Sequence, residues 1–221
     1  MQRRLLIHIL TVALLPSWVA AQGAEPSVVV DDVWVQNDEL HVSLAATGIL
    51  DEAARETIEQ GGTSAVFYTV TLYRHRSGWF DSVVDEPITI PFQVTYEPFE
   101  RRYRMVGLDM RLKTEHFDEV VGQCTRLADV VLGNMAELRL DPDARYYVVI
   151  DARYEPMTVE TFEELRTWMD SDNPADEQGR TRQRSMGSRI AQALMSAAGF
   201  GERELRGQSD TFRPSELPRR P

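Results

Sequence analysis

The sequence predicts a single α+β domain over residues 27–170, mainly antiparallel, in which a hairpin, a meander and a second hairpin are packed by two to three helices. Three observations predict it. Residues 63–113 hold three strand patterns and no helix pattern; in the middle one Ile88, Ile90, Phe92, Val94 and Tyr96 alternate with Thr89, Pro91, Gln93, Thr95 and Glu97. That period of two puts one face on a core and one toward water. The period then changes to 3.6, with Phe117, Val120, Val121, Cys124, Leu127, Ala128, Val131 and Leu132 on one stripe of a helix expected over 115–132. Finally, 221 residues of 43% hydrophobic composition suffice for one core once the two ends are set aside. The pattern leaves open whether the sheet curls into a half-barrel or splits into a sandwich.

In chain order, residues 1–4 are a positive n-region, 5–19 an apolar h-region, and Val19-Ala20-Ala21 the small residues a signal peptidase requires, so residues 1–21 read as a signal peptide cleaved after Ala21. His8, Pro16 and Ser17 interrupt the apolar run, which is short for a membrane span. Residues 27–36 and 40–46 read as a hairpin across Asn37-Asp38-Glu39. A helix is expected over 49–60, with Asp51 and Glu52 in its first turn and Gly61-Gly62 as its stop. The meander opens with 64–76, apolar on both faces through Val66, Phe67, Tyr68, Val70 and Leu72, hence a central strand. Its second strand carries Pro91, which cannot donate to a ladder and belongs at a local edge or bulge. Residues 102–113 return as a third strand with Gly107 as a bulge. After the 115–132 helix, residues 135–140 and 145–154 read as a hairpin across Asp141-Pro142-Asp143, and 159–169 as an amphipathic helix. Beyond the domain come a polar linker over 171–184, an arginine-led amphipathic helix over 185–200, and a tail over 201–221 whose few apolar residues and several breakers predict disorder.

This order of features resembles the bacterial domain-of-unknown-function 4390 family. The likeness is carried by residues 44–50, the short helix ending at Gly61, the strand from Phe67 to Arg76 with Trp79-Phe80-Asp81, and Val94-Thr95-Tyr96 with Arg102-Tyr103-Arg104. It continues through the 117–132 stripe to Tyr146-Tyr147-Val148-Val149-Ile150-Asp151, and so runs over residues 27–170. Family members carry a Leu-Pro segment where this chain has Tyr154-Glu155-Pro156-Met157, and the stretch after Asp170 lies beyond the resemblance. The resemblance implies an exported envelope protein of unassigned activity, often encoded beside a membrane sensor kinase of the nitrogen-regulation type. It supplies no catalytic residues.

The formal charge is −11, and loss of the leader, with Arg3 and Arg4 and no acid, leaves −13. Such a balance argues against nucleic acid and against general adhesion to anionic lipid, leaving membrane contact to an uncleaved leader or the C-terminal helix. The single cysteine, Cys124, excludes an intramolecular disulfide and lies on the apolar stripe as a small hydrophobe. His41, His75 and His116 fit no metal-ligand spacing and read as sheet-surface or helix-end residues. No G-x-S-x-G is present, and no serine stands at Ser-x-x-Lys spacing before Lys113, the chain's single lysine. Neither catalytic residues, nor a cofactor, nor a metal site is therefore assigned. What remains is a set of basic and aromatic residues at turns of the meander: Arg74, His75, Arg76, Trp79, Arg102 and Arg104. They are the candidate surface for an anionic ligand or an acidic protein partner, against the plainer reading in which strand-end arginines cover apolar surface. The expected function is an exported periplasmic accessory or binding protein, with an envelope sensor kinase as its most specific partner. The alternative is a periplasmic hydrolase whose acid and base come from separate strands. Oligomeric state is not fixed by the sequence.

Overall fold

The computed structural model describes residues 25–78, 80–157 and 203–221. The leader, Trp79, the 159–169 helix, the 171–184 linker and the 185–200 helix therefore lie outside the described residues. The first hairpin forms as its pattern predicts, β1 (Ser27–Gln36) pairing with β2 (Glu39–Thr47). Asn37 and Asp38 both take left-handed φ, 50° and 60°. That is the geometry a two-residue hairpin turn needs to match strand twist. A bulge between Val30 and Asp32 shifts the parity of β1, so that Val28 and Val33 both reach the core.

Helix α1 (Glu52–Glu59) starts where Asp51 accepts the Ala54 N–H at 2.9 Å. It stops at Gly61, where a φ of 91° lets the N–H groups of Gly61 and Gly62 reach the carbonyls of Ile58 and Thr57. Strand β3 (Thr63–Arg74) follows, with the short β4 (Ser82–Val83) beside its end. β3 is central, flanked by β5 (Ile88–Glu97) and by β9 (Tyr146–Met157). β6 (Arg102–Val106) begins to pair with β5 only at Gln93, so Pro91 sits at a local edge, where a missing N–H interrupts no second ladder.

Three expectations are corrected. Residues 102–113 are two strands, β6 and β7 (Arg111–Thr114), because the chain reverses between Gly107 and Met110, with the Gly107 N–H on the Met110 carbonyl at 2.8 Å. A Cβ on Gly107 would meet the Phe92 ring at 3.0 Å, so this glycine serves a close turn and not a bulge. The stripe read as one helix to Leu132 is α2 (Phe117–Thr125) followed by β8 (Arg126–Asn134), which pairs with β2. Two register shifts in that pairing bury Leu127, Val130 and Leu132, and the first supplies the spacing of three that imitates a helix. Residues 135–138 form a short helix, α3 (Met135–Leu138), because the Asn134 side chain accepts the Ala136 N–H at 2.9 Å; they are not a strand.

The tail is the fourth correction. Far from disordered, it adds β10 (Arg203–Gln208) antiparallel to β9 and β11 (Arg219–Arg220) parallel to β1, around a single 3-10 turn at Pro214–Glu216. Its order comes from backbone pairing with strands some fifty to nearly two hundred residues away, which local composition does not report. Gly207 is required there, since a Cβ would lie 2.2 Å from the Val28 carbonyl oxygen. Leu205, Phe212 and Leu217 pack on the core, so the domain does not end near residue 170.

Among the described residues the strands form two sheets, β11-β1-β2-β8 and β10-β9-β3-β5-β6-β7, the larger curled as a half-barrel. One core joins them, with Val33, Val35, Leu40, Val42 and Leu44 from the smaller sheet and Val66, Tyr68, Val70, Val148 and Ile150 from the larger. The chain is a single, mostly antiparallel α+β domain with three helices among the described residues.

Candidate binding site at the end of the central strand

β3 leaves the sheet at Arg74, and its pairing with β9, which sets Arg74 opposite Tyr146, brings Arg145 alongside from seventy residues away. The His75 N–H donates to the Arg145 carbonyl at 2.8 Å and fixes the two chain segments together. Arg74, His75, Arg76, Ser77, Ala144 and Arg145 then line an open cavity of about 650 Å³.

Asp81 builds the floor of this turn. Its carboxylate accepts the Arg76 N–H at 2.8 Å and the Tyr147 hydroxyl at 2.8 Å, and it stands 3.2 Å from the His75 ring. The Arg76 N–H, then the Tyr147 hydroxyl, hold the Asp81 carboxyl below the usual carboxylate range. Burial, and then the Asp81 carboxylate, push the Tyr147 phenol up to about 12. The Tyr147 ring stacks on Tyr73 at 5.3 Å with the planes 9° apart, which braces the paired ends of β3 and β9 from which the turn leaves. Arg74 is held by Asp141 at 3.0 Å. Arg76 and Arg145 have no carboxylate partner among the described residues. Phe80, 96% exposed, stands at the tip of the same turn.

The structure divides the candidates that the sequence grouped. Arg74, His75 and Arg76 come together, Trp79 lies outside the described residues, and Arg102 and Arg104 sit at the other end of the sheet. Arg102 faces Glu97, close to where Val94 pairs with Ser64 at the start of β3. Ten residues of β3 separate Ser64 from Arg74, roughly 33 Å at the rise of an extended strand. Arg102 is paired with Glu115 at 3.2 Å, and neighbouring Lys113 holds Glu97 at 3.0 Å and Glu100 at 2.6 Å. Arg145 and Phe80 are the members that sequence reasoning did not select. Arg145 becomes visible only through the strand register, whereas Phe80, beside Trp79 in a turn, was in plain sight.

Other reactive groups are tied into the fold. Cys124 is buried, its thiol pushed up to about 12 by that burial, with Sγ 3.0 Å from Met105 Sδ. His116 precedes α2, makes no side-chain capping bond, and its backbone N–H donates to Thr114 Oγ1. His41 is 5% exposed, stacks on Trp34 at 5.4 Å, and places Nδ1 2.5 Å from Asp129. The Arg220 guanidinium closes the far side of Trp34 at 3.9 Å and pairs with Asp32, so the C-terminal strand covers this aromatic pair. Among the described residues no cluster of His, Cys, Asp or Glu is arranged to hold a metal ion.

A family model described as "Domain of unknown function (DUF4390)" matches residues 27–159. No curated protein and no solved structure matches the chain.

Proposed function

The chain belongs to the family described as Domain of unknown function (DUF4390), and from that premise we propose that it is a non-catalytic binding protein exported to the bacterial periplasm, where the end of β3 holds an acidic partner. The carrying observation is the open cavity in which Arg76 and Arg145 have no carboxylate partner among the described residues, in a chain of net charge −11. An acid placed between two guanidinium groups makes charge-assisted, bidentate hydrogen bonds. Phe80 adds an exposed apolar contact beside them, the aromatic and arginine pairing that concentrates binding energy at protein interfaces. The leader pattern of residues 1–21 supports export. An acidic face of an envelope sensor kinase is the specific form of the partner.

Affinity capture from envelope extracts tests the reading. The wild-type chain is expected to retain a partner that Arg76→Glu with Arg145→Glu loses, and equal recovery by both, or none by either, counts against it. For the sensor-kinase form, deleting the protein is expected to change phosphorylation of the cognate regulator; unchanged phosphorylation sinks that form alone. Export is checked by fractionation, and a mature chain recovered in the cytosol overturns it. The hydrolase alternative needs an acid and a base facing a cleft. The His41–Asp129 contact is the nearest arrangement to that, and Trp34 covers its imidazole ring.

A further inference from the structure

The two sheets end in four lateral strands, and three are short or charged. β11 has two residues, β7 has four and bears Arg111 and Lys113, and β10 reads Arg-Glu-Leu-Arg-Gly-Gln. Short length and alternating charge are the features that keep a sheet edge from pairing with other chains. β8 differs in length and in apolar content: it is nine residues long, with Leu127 and Val130 buried and Val131 39% exposed, though it carries Arg126 and Asp129 and two register shifts against β2. Across from it runs the other open strand margin, the first part of β5, since β6 pairs with β5 only from Gln93 onward. Between the two margins lies a cleft of about 660 Å³ walled by Ile88, Ile90, Phe92, Met110, Leu127 and Val130, with Asp109, Arg126 and Asp129 as its charged members.

We propose that this cleft is a strand-accepting groove that binds an extended, apolar segment of another polypeptide, paired to the β8 margin over residues 126–131. Both long walls are strand margins, which favours an occupant carrying a regular row of backbone donors and acceptors over a compact ligand. An added strand sends alternate side chains to one face, and on that face Ile88, Ile90 and Val130 offer apolar seats. The lining carries the acids Asp109 and Asp129 and the base Arg126, and Asp129 is already engaged by His41 at 2.5 Å, so the groove offers few free charges and suits a segment of low net charge. The chain already closes two other margins by adding strands, β10 on β9 and β11 on β1. This groove is separate from the Arg76 and Arg145 cavity, so either reading can fail without the other.

The purified full chain is titrated with a fluorescent peptide of alternating valine and threonine, ended by a lysine on each side. Saturable binding is expected, with slowed amide exchange confined to residues 126–131 and 88–90. Ile90→Asp is expected to weaken binding tenfold or more, and so is Val131→Lys, a substitution at an exposed position that leaves the core intact. Arg76→Glu with Arg145→Glu is expected to leave it unchanged, and the same peptide with prolines at alternate positions is expected not to bind. Absence of saturation, binding unaltered by Val131→Lys, or equal binding of the proline peptide overturns the proposal. So does a fluorescent fatty acid that binds the cleft while the peptide does not, since that outcome assigns it to an acyl chain.

Discussion

The two ends of β3 carry similar residues and opposite electrostatics. Near Thr63 the bases Arg102 and Lys113 are answered by Glu115, Glu97 and Glu100, all within 3.2 Å. Near Arg74 the acids are engaged otherwise: Asp141 holds Arg74, and Asp81 is occupied by the Arg76 N–H and the Tyr147 hydroxyl. Arg76 and Arg145 therefore keep their charge for a partner, while at the other end Arg102 and Lys113 are neutralised and only Arg104 of the sequence candidates there makes no ion pair among the described residues. Residue type alone does not separate a binding surface from a closed corner. What separates them is where the turns deliver their carboxylates and which hydrogen bonds those carboxylates already make.

The largest expected effect tests the closed end. Tyr103 is 2% exposed, lies between Tyr96 and Phe117 at 5.0 and 5.3 Å, and sends its hydroxyl to Glu59. Tyr103→Ala is expected to cost about 3–5 kcal/mol in urea unfolding, as for other large aromatic truncations in a core. At low temperature, where the variant is still folded, its affinity for an acidic probe is expected to be unchanged, because the open end does not depend on that cluster. Next comes the open end itself. Arg76→Glu with Arg145→Glu is expected to weaken binding of a fluorescent oligoglutamate peptide at least tenfold, about 1.4 kcal/mol. Arg102→Glu with Arg104→Glu is expected to change it less than twofold. Wild-type binding is expected to weaken steeply with salt, as exposed charge pairs do. Equal losses in the two double variants would erase the distinction between the ends.

Much of the frame was legible, and the reasons are specific. β1, β2, β3 and β5 announce themselves because alternation and turn residues such as Asn37-Asp38 act locally. β8 did not, because its bulged pairing with β2 gives Leu127 and Val130 a helical spacing. The tail did not, because β10 and β11 are held by partners distant in the chain and Gly207 reads as a breaker until Val28 is seen against it. At the site, Arg74, His75 and Arg76 are contiguous and were found together. Arg145 joins them only through strand register, and Arg102 and Arg104 looked like neighbours because a meander folds back without showing at which end each turn falls.

Acid sharpens the comparison from another side. Asp81 at the open end is held below the usual carboxylate range first by the Arg76 N–H, Glu59 at the closed end by the Tyr103 hydroxyl, and Glu100 there by Lys113. A carboxyl lowered in the folded state stabilises the fold above its unfolded value, about 4, and that stabilisation is lost as pH falls through the folded value. Thermal midpoints are thus expected to be level from about pH 5 upward and to fall below about pH 4. In Asp81→Asn the fall is expected to be shallower, with the share due to Glu59 and Glu100 remaining. A fall of undiminished depth would mean that the open end carries none of the acid response.

The smallest expected effect is at Lys113. Its ammonium group meets two glutamates, yet the side chain is 42% exposed and those of Glu97 and Glu100 are 32% and 54% exposed. Ion pairs of long exposed side chains are weakened by water, by salt and by the freedom lost in holding them. Lys113→Ala is therefore expected to leave the thermal midpoint within experimental error, although it removes the most completely paired base of the closed end. It also uncovers two negative charges there, and these lie roughly 33 Å from the open end, several times the screening length of about 8 Å at physiological salt. Affinity for the acidic probe is expected to stay at the wild-type value in 0.15 M salt and to fall slightly at tenfold lower salt, where that length is about 25 Å. If the midpoint instead drops by several degrees, the glutamates and Lys113 form a cooperative network, and the closed end owes its character to stability as well as to neutralisation.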